Sequence, residues 1–575
     1  MVKFLIGLGT GVLITFLSLF LLFLFMLRFR ERPPEIAANS VLVMQLTGEI
    51  PEKPPVEIPY LPVERPGITV ADVWMSLRKA AVDTRVKAVV LEPEDLAVGW
   101  AKLEEIRADL EQFRKSGKPV YAYLKTPGTR EYYLASAADR IYLGPQDQFY
   151  VKGMRAELTY FRKTLDKLGV TVEVEHAGKY KDFGDMFTRS DMSPETRQVL
   201  DSVLDDLYGA LVKGIAEGRH KNPEDVRALI DAGPFLAPQA KAAGLVDELR
   251  FEDQMYGELG AKLGGGEPKK VPLARYAKIP PDDLGLADRR NLIALVVGQG
   301  DIIRGDPGDD GVGDEGITSY GFNKLLRRVA GDSLIKGVVV RIDSPGGETV
   351  ASDEIWREMN LISRKKPLVI SMSDAAASGG YYIAMTGDPI VAYPGTMTGS
   401  IGVVFGKPNL HGLYDKLGIT KDSLKRGRFA DIDSDYRPLF SEERAMLRNG
   451  IDENYRDFVG KVADARRRKF DEVEPLAQGR VWLGSQARRQ GLVDDLGGLD
   501  RAIELVKQKA RIPAGANVTL VPYPPRRNII DVLLRRQQDD LLQSKLSSLL
   551  HGLPPLRAWM KGGFLRLAPY SIDVR

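Results

Sequence analysis

Ser378 is the residue whose surroundings suit chemistry. It lies in Ser373–Tyr382, Ser-Asp-Ala-Ala-Ala-Ser-Gly-Gly-Tyr-Tyr. Three alanines before it and two glycines after it leave the hydroxyl little steric cover, and glycine lets backbone N–H groups approach a bound group closely. An exposed nucleophile requires this. The same residues also describe a tight strand-to-helix turn in which the serine merely caps the helix. Upstream, Asp343-Ser-Pro-Gly-Gly347 follows the β-branched run Gly337–Ile342. A Pro-Gly-Gly turn at a strand end can aim one amide into a cleft, and the residue after a nucleophile supplies a second. Gly347 and Gly379 are therefore candidate oxyanion-hole donors, against a plain type II turn that needs glycine for its positive φ.

A serine nucleophile needs a base. The chain has four histidines, His176, His220, His411 and His551, none paired in a metal-binding or His-Glu-x-x-His spacing, and it has no cysteine. That excludes disulfides, thiolate nucleophiles and Cys-based metal sites, and no metal or cofactor is expected. Lysine can act as the base if burial or neighbours hold it neutral, since its ordinary pKa is about 10.4.

An internal repeat selects the lysine. Asp83–Val90 matches Asp332–Val339, Tyr132–Ala135 matches Tyr381–Ala384, and Asp166–Thr171 matches Asp415–Thr420, each pair 249 residues apart; Gly244–Asp247 matches Gly491–Asp494 at 247. At this offset Thr129 stands opposite Ser378, Arg130-Glu131 opposite Gly379-Gly380, Arg162 opposite His411, and Lys181 opposite Ala430. One copy has the serine without the lysine and the other has the lysine without the serine, as two degenerate halves sharing one site would. Lys179 is a rival base two residues away, but Lys181 has the Tyr-Lys-Asp context.

These residues need a scaffold. At 575 residues the chain exceeds one hydrophobic core. Its 44% hydrophobic and 28% charged content is that of folded protein, and its net charge of +3 gives no reason to expect nucleic-acid binding. Phe4–Leu27 is apolar and uncharged; as a helix it would span about 36 Å, enough for a hydrocarbon core of about 30 Å. A membrane anchor over 1–30 is expected, with a cleaved signal peptide as the alternative. Lys3 precedes this run while Arg28, Arg30 and Arg32 follow it, which by the positive-inside rule places the body in the cytoplasm. The first copy is expected over 40–263, a Gly/Pro/Lys-rich linker over 264–290, the second copy over 291–511 and a separate tail over 512–575. In each copy, apolar runs such as Pro367–Met372 alternate with amphipathic stretches such as Ser352–Ser363, the pattern of a largely parallel α/β domain. In the tail, Asn528–Leu550 reads as a basic amphipathic helix, and Gly305–Gly316 reads as an acidic loop.

Ala-Ala-Ser-Gly-Gly-Tyr, the Asp-Ser-Pro-Gly-Gly loop, Thr398-Gly-Ser-Ile-Gly402, Gly178-Lys-Tyr-Lys and Asp191-Met-Ser-Pro194 together resemble the signal peptide peptidase A (protease IV) family in its long, duplicated, membrane-anchored form. The resemblance covers about residues 1–510. It implies two tandem ClpP/crotonase-like α/β domains preceded by an N-terminal transmembrane helix. It further implies a Ser/Lys dyad of Ser378 and Lys181, with Ser400 hydrogen-bonding the lysine. A homotetramer in the cytoplasmic membrane, its body on the periplasmic side, would process signal peptide remnants and other apolar peptides. Two other classes compete: a crotonase-like acyl-CoA enzyme, which has no use for a Ser-Gly-Gly nucleophile or an anchor, and a catalytically silent anchored scaffold.

Overall fold

The computed structural model describes residues 34–54, 67–305, 316–525 and 564–567, with helical positions 11, 14–18 and 20. Most of Phe4–Leu27, residues 306–315 and Asn528–Leu550 lie outside the described residues. Among those described, no helix is long and apolar enough to cross a membrane.

Each copy is built on a sheet of short apolar strands separated by helices. In the first copy the strand order is Glu248–Leu249, Arg140–Leu143, Val120–Leu124, Val86–Leu96, Ser40–Gly48 and Lys269–Pro272, every neighbouring pair parallel. In the second it is Val481–Leu483, Met397–Gly399, Leu368–Ala377, Ile335–Ser344, Leu292–Gln299 and Thr519–Tyr523. These pairs too are parallel except the one between Met397–Gly399 and Val481–Leu483. Val86, Ala88, Val89, Val90 and Leu91 are fully buried, as are Val338, Val339, Val340 and Ile342. Runs of this kind belong to parallel strands covered on both faces, where alternation is lost. The long helices Pro194–Arg219 and Ser441–Arg466 correspond, each ending on a left-handed residue, His220 and Arg467.

Two boundaries move. The connector 264–290 is not a free linker: Lys269–Pro272 pairs with Ser40–Val43, and the following helix Leu273–Tyr276 buries Leu273 and Tyr276. Lys79 Nζ donates to the carbonyls of Tyr276, Ala277 and Ile279, which ties this stretch to the first copy. The second copy likewise continues past Arg511, because Thr519–Tyr523 pairs with Leu292–Val296 in the same edge position. Edge strands with one buried face carry little apolar signal; in Lys-Lys-Val-Pro only Val271 is buried.

A third, mixed sheet joins the copies. Its order is Ile317–Thr318, Ile302–Ile303, Gly346–Glu348, Phe564–Leu567, Val403–Asn409 and Thr171–Ala177. Thr171–Ala177, from the first copy, runs antiparallel to Val403–Asn409, from the second, with Ala177 opposite Val403 and Thr171 opposite Asn409. Phe564–Leu567, from the tail, is wedged between Gly346–Glu348 and Val403–Asn409, antiparallel to both. A polar contact also crosses the boundary: Lys102 of the first copy reaches Asp343 at 2.7 Å and Asp374 at 3.5 Å in the second. It thereby fixes both loops that carry the candidate residues.

Candidate active site

Ser378 ends the strand Leu368–Ala377 and begins the helix Gly379–Ile383, with φ 53° and ψ −113°. A residue bearing a Cβ is held in such a region at a cost of about 1–3 kcal/mol, and only where surrounding structure fixes it. Gly380 allows the turn, since a Cβ there would lie 2.7 Å from the Ser344 carbonyl oxygen. The serine does not cap the helix with its side chain. Its Oγ lies 2.8 Å from Lys181 Nζ.

Lys181 comes from the other copy. The strand Thr171–Ala177, docked on Val403–Asn409, delivers it across the boundary. There it passes two glycines: a Cβ on Gly479 would lie 2.6 Å from Lys181 Cβ, and one on Gly402 would lie 3.1 Å from its Cδ. Ser400 stands beside Ser378 because their strands run parallel in register, Ala377 opposite Gly399. Lys181 Nζ is 3.0 Å from Ser400 Oγ and 3.1 Å from its carbonyl oxygen. No helix begins at Ser400, so it is not a helix cap. Lys179 is exposed and stacks its amine 4.9 Å from the Tyr180 ring, and His411 is exposed facing Asp415. Neither joins the cluster.

Lys181, Ser378 and Ser400 are fully buried. Burial holds the Lys181 amine well below the usual lysine range; Asp182 opposes this and the Arg566 charge reinforces it. Asp182, itself largely buried, is pushed up to about 6. A buried amine in contact with a serine hydroxyl, and neutral near pH 7, has what a general base needs.

The burial of Ser378 differs from the expected exposure. The backbone of the tail strand runs over the site, with Gly347 opposite Arg566 and Gly346 opposite Leu567. A Cβ on Gly379 would lie 3.1 Å from the Gly347 nitrogen and 3.2 Å from the Arg566 carbonyl oxygen. One on Gly346, where φ is +116°, would lie 1.9 Å from that same oxygen and 2.8 Å from the Gly379 nitrogen. The amides of Gly347 and Gly379 thus converge, and a peptide carbonyl sits beside them. Sequence reading found Gly347 but passed over Gly346, the glycine that admits this strand. It also missed Phe564–Leu567, four residues too few to show a period. Among the described residues no group of His, Asp or Glu is arranged to hold a metal.

Comparison with known proteins follows the duplication. The model of peptidase family S49 matches residues 112–264 and again 360–513. The chain is 36% identical over 503 residues to the chloroplastic serine protease SPPA of Arabidopsis thaliana, covering 87% of this chain and 73% of that protein. It is 33% identical over 460 residues to protease 4 of Haemophilus influenzae, covering 77% and 73%. Among solved structures, ClpP1 from Listeria monocytogenes matches 36% of this chain and 94% of its own at 13% identity, with a TM-score of 0.23. With two S49 domains in tandem and this identity over most of its length, the chain belongs to peptidase family S49 and is a serine protease of the signal peptide peptidase A (protease IV) type.

Proposed function

We propose that the chain is a serine endopeptidase whose catalytic dyad is Ser378 and Lys181. The observation that carries this reading is the 2.8 Å approach of Nζ to Oγ between residues 197 apart, at a place where burial keeps the amine neutral. Lys181 takes the proton of Ser378 as Oγ attacks a peptide carbonyl carbon. The oxyanion is held by the amides of Gly347 and Gly379, and Ser400 keeps the amine pointed at the nucleophile. The C–N bond then breaks, the lysine returns the proton to the departing amine, and water activated by the same lysine hydrolyses the ester. Labelling of Ser378 by a serine-directed fluorophosphonate tests the dyad: it is expected in the wild type and lost in Lys181→Ala, and undiminished labelling of that variant overturns the base.

The substrates in this reading are signal peptide remnants in the cytoplasmic membrane, reached by a body that Phe4–Leu27 anchors on the extracytoplasmic side. In spheroplasts, added protease is then expected to degrade the body; complete protection overturns the placement and favours the orientation that Arg28, Arg30 and Arg32 would give.

A homotetramer also fits the pairing of the copies. Thr171–Ala177 and Val403–Asn409 pair within the chain. Their counterparts at offset 249, 420–426 and 154–160, have no strand structure, and Leu424 is 95% exposed. Pairing 420–426 of one chain with 154–160 of a second repeats the internal joint and generates a head-to-tail ring. Leu424→Asp is expected to shift the sedimenting species in detergent to monomer; an unchanged species overturns this joint.

A further inference from the structure

The tail strand brings a side chain into a pocket beside the dyad. Arg566 is buried, with its guanidinium 3.6 Å from the centroid of the Tyr382 ring and 5.2 Å from that of Phe458. The two rings meet edge to face at 4.9 Å and form an aromatic wall. At its rim stand two carboxylates: Tyr382 Oη donates to Asp353 at 2.6 Å and to Asp457 at 3.0 Å, and Arg566 Nη2 lies 3.7 Å from Asp457. One cation of the pocket itself, Lys461, bridges Asp353 at 3.0 Å and Asp457 at 2.7 Å. Two acids and one lysine leave a net negative charge, which one guest cation neutralises. Aromatic faces attract a desolvated cation by about 2 kcal/mol, and arginine, planar and weakly hydrated, is the cation best suited to stack on them.

The guest's backbone shows which residue of a substrate this pocket reads. The Arg566 carbonyl oxygen is the one lying beside the converging amides of Gly347 and Gly379. The strand is held antiparallel on both sides, by Gly346–Glu348 and by Val404–Phe405, as an extended peptide adding to two sheet edges would be. The two residues before Arg566 meet apolar surroundings. Leu565 is buried with Phe183, Phe187 and Val404, and Phe564 packs edge to face on Phe405 at 5.9 Å.

We propose that this pocket is the primary specificity site of the peptidase, and that it selects a basic side chain, arginine foremost, at the residue whose carbonyl is attacked, preceded by two apolar residues. The tail segment Phe564-Leu565-Arg566 is a resident copy of that preferred sequence and competes with substrate. The inference rests on the dyad reading of Ser378. It replaces the expectation of purely apolar substrates with an apolar-apolar-basic one.

The test uses full-length protein in detergent and fluorogenic peptides blocked-Phe-Leu-X-aminocoumarin with X as Arg, Lys, Leu or Glu. Each is assayed with the wild type and with Arg566→Glu, which empties the pocket of its resident cation. The Arg peptide is expected to exceed the Leu peptide by about tenfold or more in kcat/KM, with Lys between them and Glu lowest. Arg566→Glu is expected to raise turnover of the Arg peptide several-fold. Asp457→Asn and Asp353→Asn are expected to lower the Arg-to-Leu ratio, a quantity that loss of folded protein does not change. Equal or better hydrolysis of the Leu peptide, abolished by Ser378→Ala, overturns the specificity while leaving the dyad intact. Hydrolysis that persists in Ser378→Ala, or is missing for every peptide in both chains, overturns the dyad instead.

Discussion

Replacing Ser378 by alanine is expected to reduce kcat for peptide hydrolysis by about 10⁴-fold or more, and Lys181→Ala is expected to do nearly the same. Each residue is useless without the other: a serine hydroxyl is a weak nucleophile until its proton has somewhere to go. The Lys181→Ala/Ser378→Ala double variant should therefore be no worse than the poorer single variant, the non-additivity of groups acting as one unit. Lys181→Arg separates charge from basicity, because a guanidinium stays protonated, and it is expected to be as inactive as alanine. The pH profile gives a second readout. The amine acts only when neutral, and burial holds its pKa well below the usual lysine value. The acid limb of kcat/KM should thus fall well below pH 10.4 as the amine gains its proton. Activity confined to pH near 10, or a Lys181→Ala variant within tenfold of wild type, overturns the base. A silent scaffold predicts no change at all, and a crotonase-like acyl-CoA enzyme predicts no peptide turnover to lose.

The site was legible in the sequence because duplication left a comparison inside one chain. Thr129 opposite Ser378 and Ala430 opposite Lys181 are differences between halves that otherwise match, and a shared site is the economical reason for both losses. Ser400 came only with the family resemblance, and the structure puts it in contact with the amine through the parallel register of Ala377 and Gly399. Strand and helix types were readable where burial is two-sided, as in Ile335–Ser344. Edge strands were not, because their pairing is made by backbone groups that any sequence carries; Lys269–Pro272 and Phe564–Leu567 both fell into stretches read as connector or tail. Also hidden was the partner of Arg341, since Glu52 lies 289 residues away.

Arg341 is where loss of one side chain should cost the fold most. It lies on the strand Ile335–Ser344, 1% exposed. Its Nη2 donates to Glu52 at 2.8 Å and to Glu105 at 2.5 Å, both carboxylates being about 2% exposed and both from the first copy. Nη1 donates to Ser371 at 2.9 Å, and Ser373 donates to Glu52 at 2.5 Å, so the network grips the strand that ends in Ser378. Burial opposes ionisation of both acids. At Glu52 the charges of Arg341 and Lys102 outweigh it and the pKa is lowered, whereas at Glu105 burial prevails and the pKa is raised. Arg341→Ala removes the shared cation and leaves carboxylates buried without it, an expected loss of about 3–5 kcal/mol at pH 8, read as a shift of the urea midpoint. Arg341→Met should recover little, since it restores volume but not charge. Arg341→Met with Glu52→Gln and Glu105→Gln should recover much of the loss, because it removes the charges that need a partner. The sign with pH follows from the raised group. Without Arg341 both carboxylates bind protons more readily folded than unfolded, so the folded state gains relative stability as pH falls through their raised values, and the deficit of Arg341→Ala narrows from pH 8 to pH 5.5. A deficit below about 1 kcal/mol at pH 8, the range of an exposed pair, or one that widens on acidification, would mean that the two copies are held together elsewhere.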